Sequence, residues 1–378
     1  MRSIYYIVLR FIMGLFPIQH RKIFFMSYYG SQYGCNPKYL SKYVVENYPE
    51  WTVVWGFTEP NKYNVPHVRK VRYLSLAYFY EIYTSQVFVT NFRMTEHYRK
   101  RRGQLYIQTW HGSVALKKIE KDTEKTLPAH YVMMAKRDSL QTDVLLSGCQ
   151  FCTDIYNRAF WYSGAIVSSG TPREDIMFSS NIKKRNSIKA KLDVSIDKKI
   201  VLYGPTFRKD YSLDCYNVDY NRLLTSLSDK FGGEWIVLLR LHPHLRDFSM
   251  QLVVNNPMLV DVTSYDDIQE LLFISDFVIS DYSSLIFDFA LTYRPCFLYT
   301  SDLDTYTQND RALYFEIENL PFPICRNNDE LNTQIQAFDE IKYKQEISSF
   351  LHMIGSFETG HACENVVNYI RTIIGDVK

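Results

Sequence analysis

Gln104-Leu-Tyr-Ile-Gln-Thr-Trp-His-Gly112 is a mostly apolar run that stops at an imidazole. Residues Gln104–Trp110 read as a buried strand, which makes the chain an α/β protein and puts His111 at a strand's C-terminal edge, where open α/β sheets keep their ligand crevices. His111 is therefore a candidate catalytic base. A structural Trp-His-Gly turn with a hydrogen-bonded imidazole is the plainer alternative, because histidines that titrate near neutrality cluster at sites without being confined to them.

Working back from this run, short β-rich segments alternate with helical ones, as in doubly wound folds. Lys22–Ser27, Trp51–Phe57 and Gln86–Thr90 read as strands, and Pro37–Asn47 and Ser75–Thr84 as helices. The loop Tyr28–Asn36 carries Gly30 and Gly34 but no Gly-x-Gly-x-x-Gly fingerprint, so it reads as an acceptor-side loop rather than a dinucleotide site. Before it, Ile4–Phe16 is apolar apart from Arg10 and Gly14 and is flanked by Arg2, Arg21 and Lys22. Such a run is too short to span a bilayer, which needs about 20 helical residues, and no small-x-small cleavage site follows it. The expectation is an interfacial helix on an anionic cytoplasmic leaflet; a helix packed on the first domain is the alternative.

Two basic clusters bracket the histidine, Arg99–Arg102 before it and Lys117, Lys118 and Lys121 after it. They read as solvated faces or as capture of an anionic acceptor or membrane surface. A helical region is expected over Asp138–Cys149, then a strand from Ile166 running into the turn Ser-Gly-Thr-Pro-Arg173, with Arg173 at its exit. The polar, Lys-rich stretch Asn181–Lys199 reads as an interdomain connection.

The second half repeats the rhythm. Ile200–Tyr203 leads into Gly-Pro-Thr-Phe-Arg208, Trp235–Leu241 contains Arg240 and leads into His-Pro-His244, and Asp276–Ile279 leads into Ser-Asp-Tyr-Ser-Ser284. Three loops thus leave C-terminal strand ends and are expected to line one crevice. Ser280 or Asp281 can cap the helix Leu285–Leu291, whose amide end with the Ser283 and Ser284 hydroxyls forms a phosphate site. Asp288, the acid of that helix, requires a partner to be buried. His242 and His244 lack an acid or cysteine to complete a ligand set, so no metal is expected. Asp302-Leu-Asp304, after the strand Cys296–Tyr299, reads equally as an acid pair or as turn chemistry.

Composition bounds the rest. The 378 residues suit two domains, and a formal charge of +2 argues against a nucleic-acid binder. Seven cysteines scattered along the chain fit a reduced protein, with Cys149 and Cys152 a lone Cys-x-x-Cys that reads as core thiols. Thirty tyrosines and 24 phenylalanines select no ligand.

Taken in order, Gln-Thr-Trp-His-Gly with Leu-Lys-Lys-Ile, Ser-Gly-Thr-Pro-Arg, Tyr-Gly-Pro-Thr-Phe-Arg, Arg-Leu-His-Pro and Ser-Asp-Tyr-Ser-Ser-x-x-Phe-Asp followed by Arg-Pro-x-x-x-Tyr resemble the CDP-glycerol glycerophosphotransferase family of teichoic acid and capsule synthesis. The resemblance runs from about Lys22 to the C-terminal helix. It implies a GT-B architecture, two Rossmann-like domains facing across a cleft, and transfer of glycerol phosphate or ribitol phosphate from a CDP-activated donor to a hydroxyl of an undecaprenyl-linked or polymeric glycan, with release of CMP. No cofactor and no nucleic acid enter. It makes His111 the base, with His242 the second catalytic histidine. Arg240 and His242 contact the donor pyrophosphate, with Ser283 and Ser284 completing that site and Thr206 and Arg208 nearby; Ser280, Asp281 and Asp288 belong to the same donor set. Gly112, Lys117, Lys118 and Arg173 fall on the acceptor or membrane side. The tail Glu358-Thr-Gly-His-Ala-Cys-Glu-Asn365 departs from the family's Asp-Gly-x-x-Ser-x-Arg pattern.

The expected organisation is a membrane-associating segment over residues 1–20, an acceptor domain over 21–190, a donor domain over 191–355, and a C-terminal helix over 356–378 that crosses back to the first domain. The expected location is peripheral, on the cytoplasmic face of the membrane. A GT-B glycosyltransferase using a nucleotide sugar and a non-catalytic membrane scaffold are the rivals. The chain's short length favours a primase or a capsule side-group transferase over a polymerase.

Overall fold

A strand buried on both faces shows no polar side, and Ile23, Phe24, Phe25 and Met26 are all fully buried. Each such side chain is worth about 1.5–3 kcal/mol of transfer free energy, and these four lie on an interior strand of the first of two parallel sheets. The computed structural model describes residues 2–208, 213, 216–254, 256–309 and 312–376. The first sheet holds β1 (Gln19–Met26), β2 (Thr52–Phe57), β3 (Arg69–Arg72), β4 (Ser85–Thr90), β5 (Leu105–Gln108), β6 (Val144–Leu146) and β7 (Ala165–Val167) in the order β3-β2-β1-β4-β5-β6-β7. The second holds β8 (Lys199–Tyr203), β9 (Trp235–Leu239), β10 (Leu259–Asp261), β11 (Phe277–Ser280), β12 (Cys296–Tyr299) and β13 (Ile324–Cys325) in the order β10-β9-β8-β11-β12-β13. Each order turns back on itself beside its first strand, at β1/β4 and at β8/β11. That is the doubly wound, Rossmann-like pattern, in which ligands bind at such switch points.

Helices α1 (Arg2–Gly14), α2 (Cys35–Asn47), α3 (Leu76–Thr84), α4 (Ala129–Ser139) and α5 (Gln150–Ala159) accompany the first sheet. The second is accompanied by α6 (Ile182–Lys191), α7 (Tyr220–Phe231), α8 (Arg246–Val254), α9 (Ile268–Ile274), α10 (Leu285–Ala290), α11 (Leu303–Asn309), α12 (Asn328–Gln336) and α13 (Glu340–Met353). The last helix, α14 (Ala362–Ile374), packs on α2. Its first amides, of Ala362 and Cys363, donate to the Asp175 carboxylate at 2.8 Å each, and just past its end the Asp376 carboxylate accepts from Arg21 Nε and Trp51 Nε1. A helix tied at both ends by acids to the first sheet's unit is a part of that unit.

The contacts divide the chain into one unit up to Ser113, Ile119–Asp175 and from Ser356 onward, and another of Val114–Lys118 and Ile176–Gly355. Two segments differ from their sequence reading. Residues 181–199 are not a plain connection: Asn181 caps α6 by accepting from the Lys184 amide, and Arg185 of α6 binds the Phe273 carbonyl in the last turn of α9 and Asp276, just beyond it, at 2.6 Å. The division accordingly falls at Asp175, ahead of the Lys191 boundary. The expected helix Asp138–Cys149 is also wrong. Helix α4 ends at Ser139 and Val144–Leu146 is a strand paired with β5 and β7, a segment too short for its periodicity to separate strand from helix.

Candidate active site

Strand β5 ends one residue short of Thr109, whose amide donates to the Thr90 carbonyl of β4 at 2.8 Å. From there the backbone turns sharply: Trp110 has φ +49° and Gly112 has φ +96°. Gly112 adopts this without penalty, whereas a tryptophan there costs about 1–3 kcal/mol and persists only where its surroundings hold it. The Gln108 Oε1 accepts from the Trp110 amide at 3.0 Å, and Asn36 Nδ2 donates to the carbonyls of Thr109 at 3.3 Å and Trp110 at 3.1 Å.

The turn delivers the His111 ring to the surface, stacked on Trp110 at 4.4 Å between centroids. His111 Nδ1 lies 3.4 Å from the Asn91 carbonyl oxygen. A carbonyl only accepts, so this contact favours the proton on Nδ1 and leaves Nε2 as the basic nitrogen. The Tyr28–Asn36 loop lies at the same edge: the Tyr28 amide donates to Asn91 Oδ1 at 2.9 Å, and the Tyr28 ring centroid is 6.5 Å from that of His111.

Arg173 does not present its charge here. It is buried, its Nε pairs with Glu174 at 3.0 Å, and its amide donates to Asn36 Oδ1 at 3.1 Å. Asn36 thus joins the Ser-Gly-Thr-Pro-Arg turn to the histidine turn, a role that no local sequence signal announces. Lys117 and Lys118 also lie elsewhere than expected. Their segment belongs to the second unit, where Lys117 pairs with Leu313 in a β-bridge and places its ammonium 5.4 Å from the Tyr306 ring centroid. In the preceding cluster, Arg101 caps α1 through the carbonyls of Gly14 and Phe16, and Lys100 pairs with Asp143.

In the second unit, the residues expected on the donor side lie on the loops after β8, β9 and β11. Ser280 is buried and its hydroxyl donates to the Gly204 carbonyl at 2.7 Å, while the Thr206 amide donates to both oxygens of Asp281 at 2.8 and 3.0 Å. These two are braces of the loop. Arg208 is spent as well: its guanidinium binds Asp281 at 2.8 Å and Asp302 at 2.6 Å and lies over the rings of Tyr282 and Tyr306. A role as a donor contact therefore requires the guanidinium to exchange these carboxylates for phosphate. Asp288, expected in the donor set, is instead buried and accepts from Gln269 Nε2 at 2.9 Å.

Ser283 and Ser284 are half-buried at the start of α10, and Ser284 makes no side-chain cap bond. Arg240 follows β9 and donates to the carbonyls of Val262 and Tyr265. His242 is exposed, with ring centroids 4.7 Å from Phe207 and 4.8 Å from His244. Partial desolvation and the neighbouring His244 lower its pKa. Among the described residues no three His, Cys, Asp or Glu side chains converge as a metal set.

The departing tail holds one residue that the sequence reading passed over. Glu358 Oε2 accepts from the Thr171 amide at 3.0 Å, whereas Oε1 is enclosed without a hydrogen-bond partner, and a side chain at Gly148 would collide with it. Burial raises this carboxyl to about 8, against the lowering by Thr171 and with help from Asp175 and Cys149. A folded-state pKa raised above the ordinary value of 4.5 means that the folded protein binds the proton more tightly, so stability is lost as pH rises from about 4.5 to about 8. The Glu358→Gln variant is expected to flatten the fall of the thermal midpoint across that window, measured by calorimetry; an unchanged slope would show that another group sets it.

The family model for CDP-glycerol:poly(glycerophosphate) glycerophosphotransferases matches residues 7–372. The chain belongs to this family. It is 33% identical to the teichoic acid poly(glycerol phosphate) polymerase of Bacillus spizizenii, across 96% of this chain and 95% of that one. With the Bacillus subtilis protein of the same name it shares 32% identity over 94% of its own length but spans only about half, 49%, of that relative. A solved structure of a wall teichoic acid polymerase TagF variant soaked with CDPG matches with a TM-score of 0.85 and 29% identity over 99% of this chain and 97% of that one. Chain length does not separate primase from polymerase, since a polymerase of nearly equal extent is among these relatives.

Proposed function

We propose that this family member transfers glycerol phosphate from CDP-glycerol to a hydroxyl of a teichoic-acid-type glycan and releases CMP. The observation that carries the reading is the match over residues 7–372, which includes the histidine turn and all three donor-side loops. The CDPG soaked into the TagF variant supports the choice of donor.

In this reading Nε2 of His111 takes the proton of the acceptor hydroxyl, the oxygen forms a bond to the glycerol-bearing phosphorus, and the bond from that phosphorus to the CMP oxygen breaks. Charge develops on the bridging and equatorial oxygens, so fixed cations and hydroxyl donors stabilise the transition state more than any covalent help would. Arg240, His242, Ser283, Ser284 and the Thr206 hydroxyl are the groups assigned to that charge. Incubation with CDP-glycerol, CDP-ribitol and UDP-sugars tests the reading: CMP release from CDP-glycerol supports it. UDP release would establish a glycosyltransferase, and silence with every donor a scaffold. Product mass then separates single addition from polymerisation.

The acceptor is assigned as undecaprenyl-linked or polymeric, and the enzyme as peripheral on the cytoplasmic face of the membrane. Support comes from α1. Leu9 and Met13 are buried in a cluster with residues of α3, while Ile7, Val8, Phe11, Ile12 and Leu15 are exposed. Among the described residues no helix is long and apolar enough to cross a membrane. A helix with one face packed and the other apolar and exposed suits an interface with lipid. The double variant Phe11→Glu, Leu15→Glu is expected to lose flotation with vesicles containing anionic lipid while keeping its thermal midpoint; retained flotation would remove α1 as the anchor.

A further inference from the structure

We infer that Arg93 is a positioning residue for His111: one buried guanidinium lies against the Trp110 ring on which the imidazole stacks and also binds Glu120, so it holds both ends of the Trp110–Glu120 loop. The inference rests on the reading of His111 as the base.

Arg93 follows β4 and is only 2% exposed. Its guanidinium carbon sits 5.7 Å from the Trp110 ring centroid and 4.6 Å from that of Phe160, and Phe160 meets Trp110 edge-on at 4.9 Å. Its NH2 binds Glu120 at 3.2 Å, and its NH1 binds Asp138 at 3.4 Å and Ser139 Oγ at 3.0 Å. The anions are fixed in turn. Tyr131 donates to Glu120 at 2.6 Å, and Asp138 accepts from the Met94 amide and the Tyr106 hydroxyl, both at 3.0 Å.

Two carboxylates and two neighbouring rings around one cation are more than charge neutralisation requires. The loop explains the excess. Trp110 and Glu120 both have left-handed backbones, φ +49° and +52°, and between them Val114–Lys118 belongs to the other unit. A segment that leaves one unit and returns to it between two strained residues holds its geometry only if both residues are clamped. The extended guanidinium lies beside the rings and reaches the carboxylates at once, a spread that a compact ammonium does not reproduce.

Arg93→Lys keeps a charge for Glu120 and Asp138 but loses the guanidinium's contact with Trp110. It is expected to lower kcat by about 10- to 100-fold, the scale of a small misplacement of a catalytic group. The KM for CDP-glycerol should stay within about twofold, because the donor is assigned to loops of the second unit. In protein labelled with 13C-histidine, the His111 ring resonance, assigned by its absence from His111→Ala, should move or broaden. Glu120→Gln, which leaves Arg93 on Trp110 but loosens the far end, should shift the same resonance and lower kcat less; it carries the test if Arg93→Lys does not fold. An unmoved His111 resonance with unchanged kcat overturns the inference, and so does a loss confined to donor KM. Full turnover by His111→Ala would remove the base reading alone, since the ring resonance reports on Arg93 independently of activity.

Discussion

Replacing His111 by alanine is expected to lower CMP release from CDP-glycerol by about 10²- to 10⁴-fold, the range that a positioned general base contributes. The thermal midpoint should hardly move, because the ring is exposed and its contact with the Asn91 carbonyl is long at 3.4 Å. Donor affinity should survive too, since the residues assigned to the pyrophosphate lie on loops after β8, β9 and β11. This pattern of lost kcat, kept affinity and kept fold separates a base from a structural histidine. Single-turnover CMP release together with equilibrium CDP-glycerol binding reads all of it. A variant that turns over like the parent protein would dismiss the base, and one that unfolds would show that the imidazole braces the turn.

What could be read in the sequence was what repeats locally. Apolar runs such as Ile23–Met26 and Trp235–Leu239 announced buried parallel strands, so the α/β class and the strand-end positions of His111 and Ser283 followed from pattern alone, while Arg240, read as inside its strand, lies one residue past it. What escaped depended on partners far along the chain. Asn36 looks like an ordinary helix-start residue until its amide is seen on the carbonyls of Thr109 and Trp110. Glu358 looks like an exposed tail acid until Gly148 and Thr171 are found around it. The carboxylate partners of Arg208 escaped for the same reason, because an arginine in a strand-end loop reads identically whether it awaits a phosphate or already serves two carboxylates.

That last distinction carries a large effect on stability. Arg208, Asp281 and Tyr282 are 5%, 1% and 0% exposed, and the Tyr282 hydroxyl donates to Asp302 at 3.0 Å. Asp281 in turn fixes the Thr206 amide, so the ion pair supports the loop after β8 as well as the loop after β11. Removing the cation leaves Asp281 enclosed without its counter-charge, and breaking a buried pair in this way costs about 3–5 kcal/mol. For a unit of this size that corresponds to a fall of roughly 6–20 °C in the thermal midpoint. Arg208→Ala should therefore lose its activity by unfolding at lower temperature. Well below its midpoint, its KM for CDP-glycerol should stay near that of the parent protein. Neutralising the partner offers the control: Arg208→Met with Asp281→Asn removes the stranded charge and should recover part of the lost stability, because the penalty lies in an unpaired buried ion rather than in the lost attraction. The opposite result, an unchanged midpoint with a KM raised tenfold or more, would mean that the guanidinium exchanges its carboxylates for donor phosphate and would return Arg208 to the binding site.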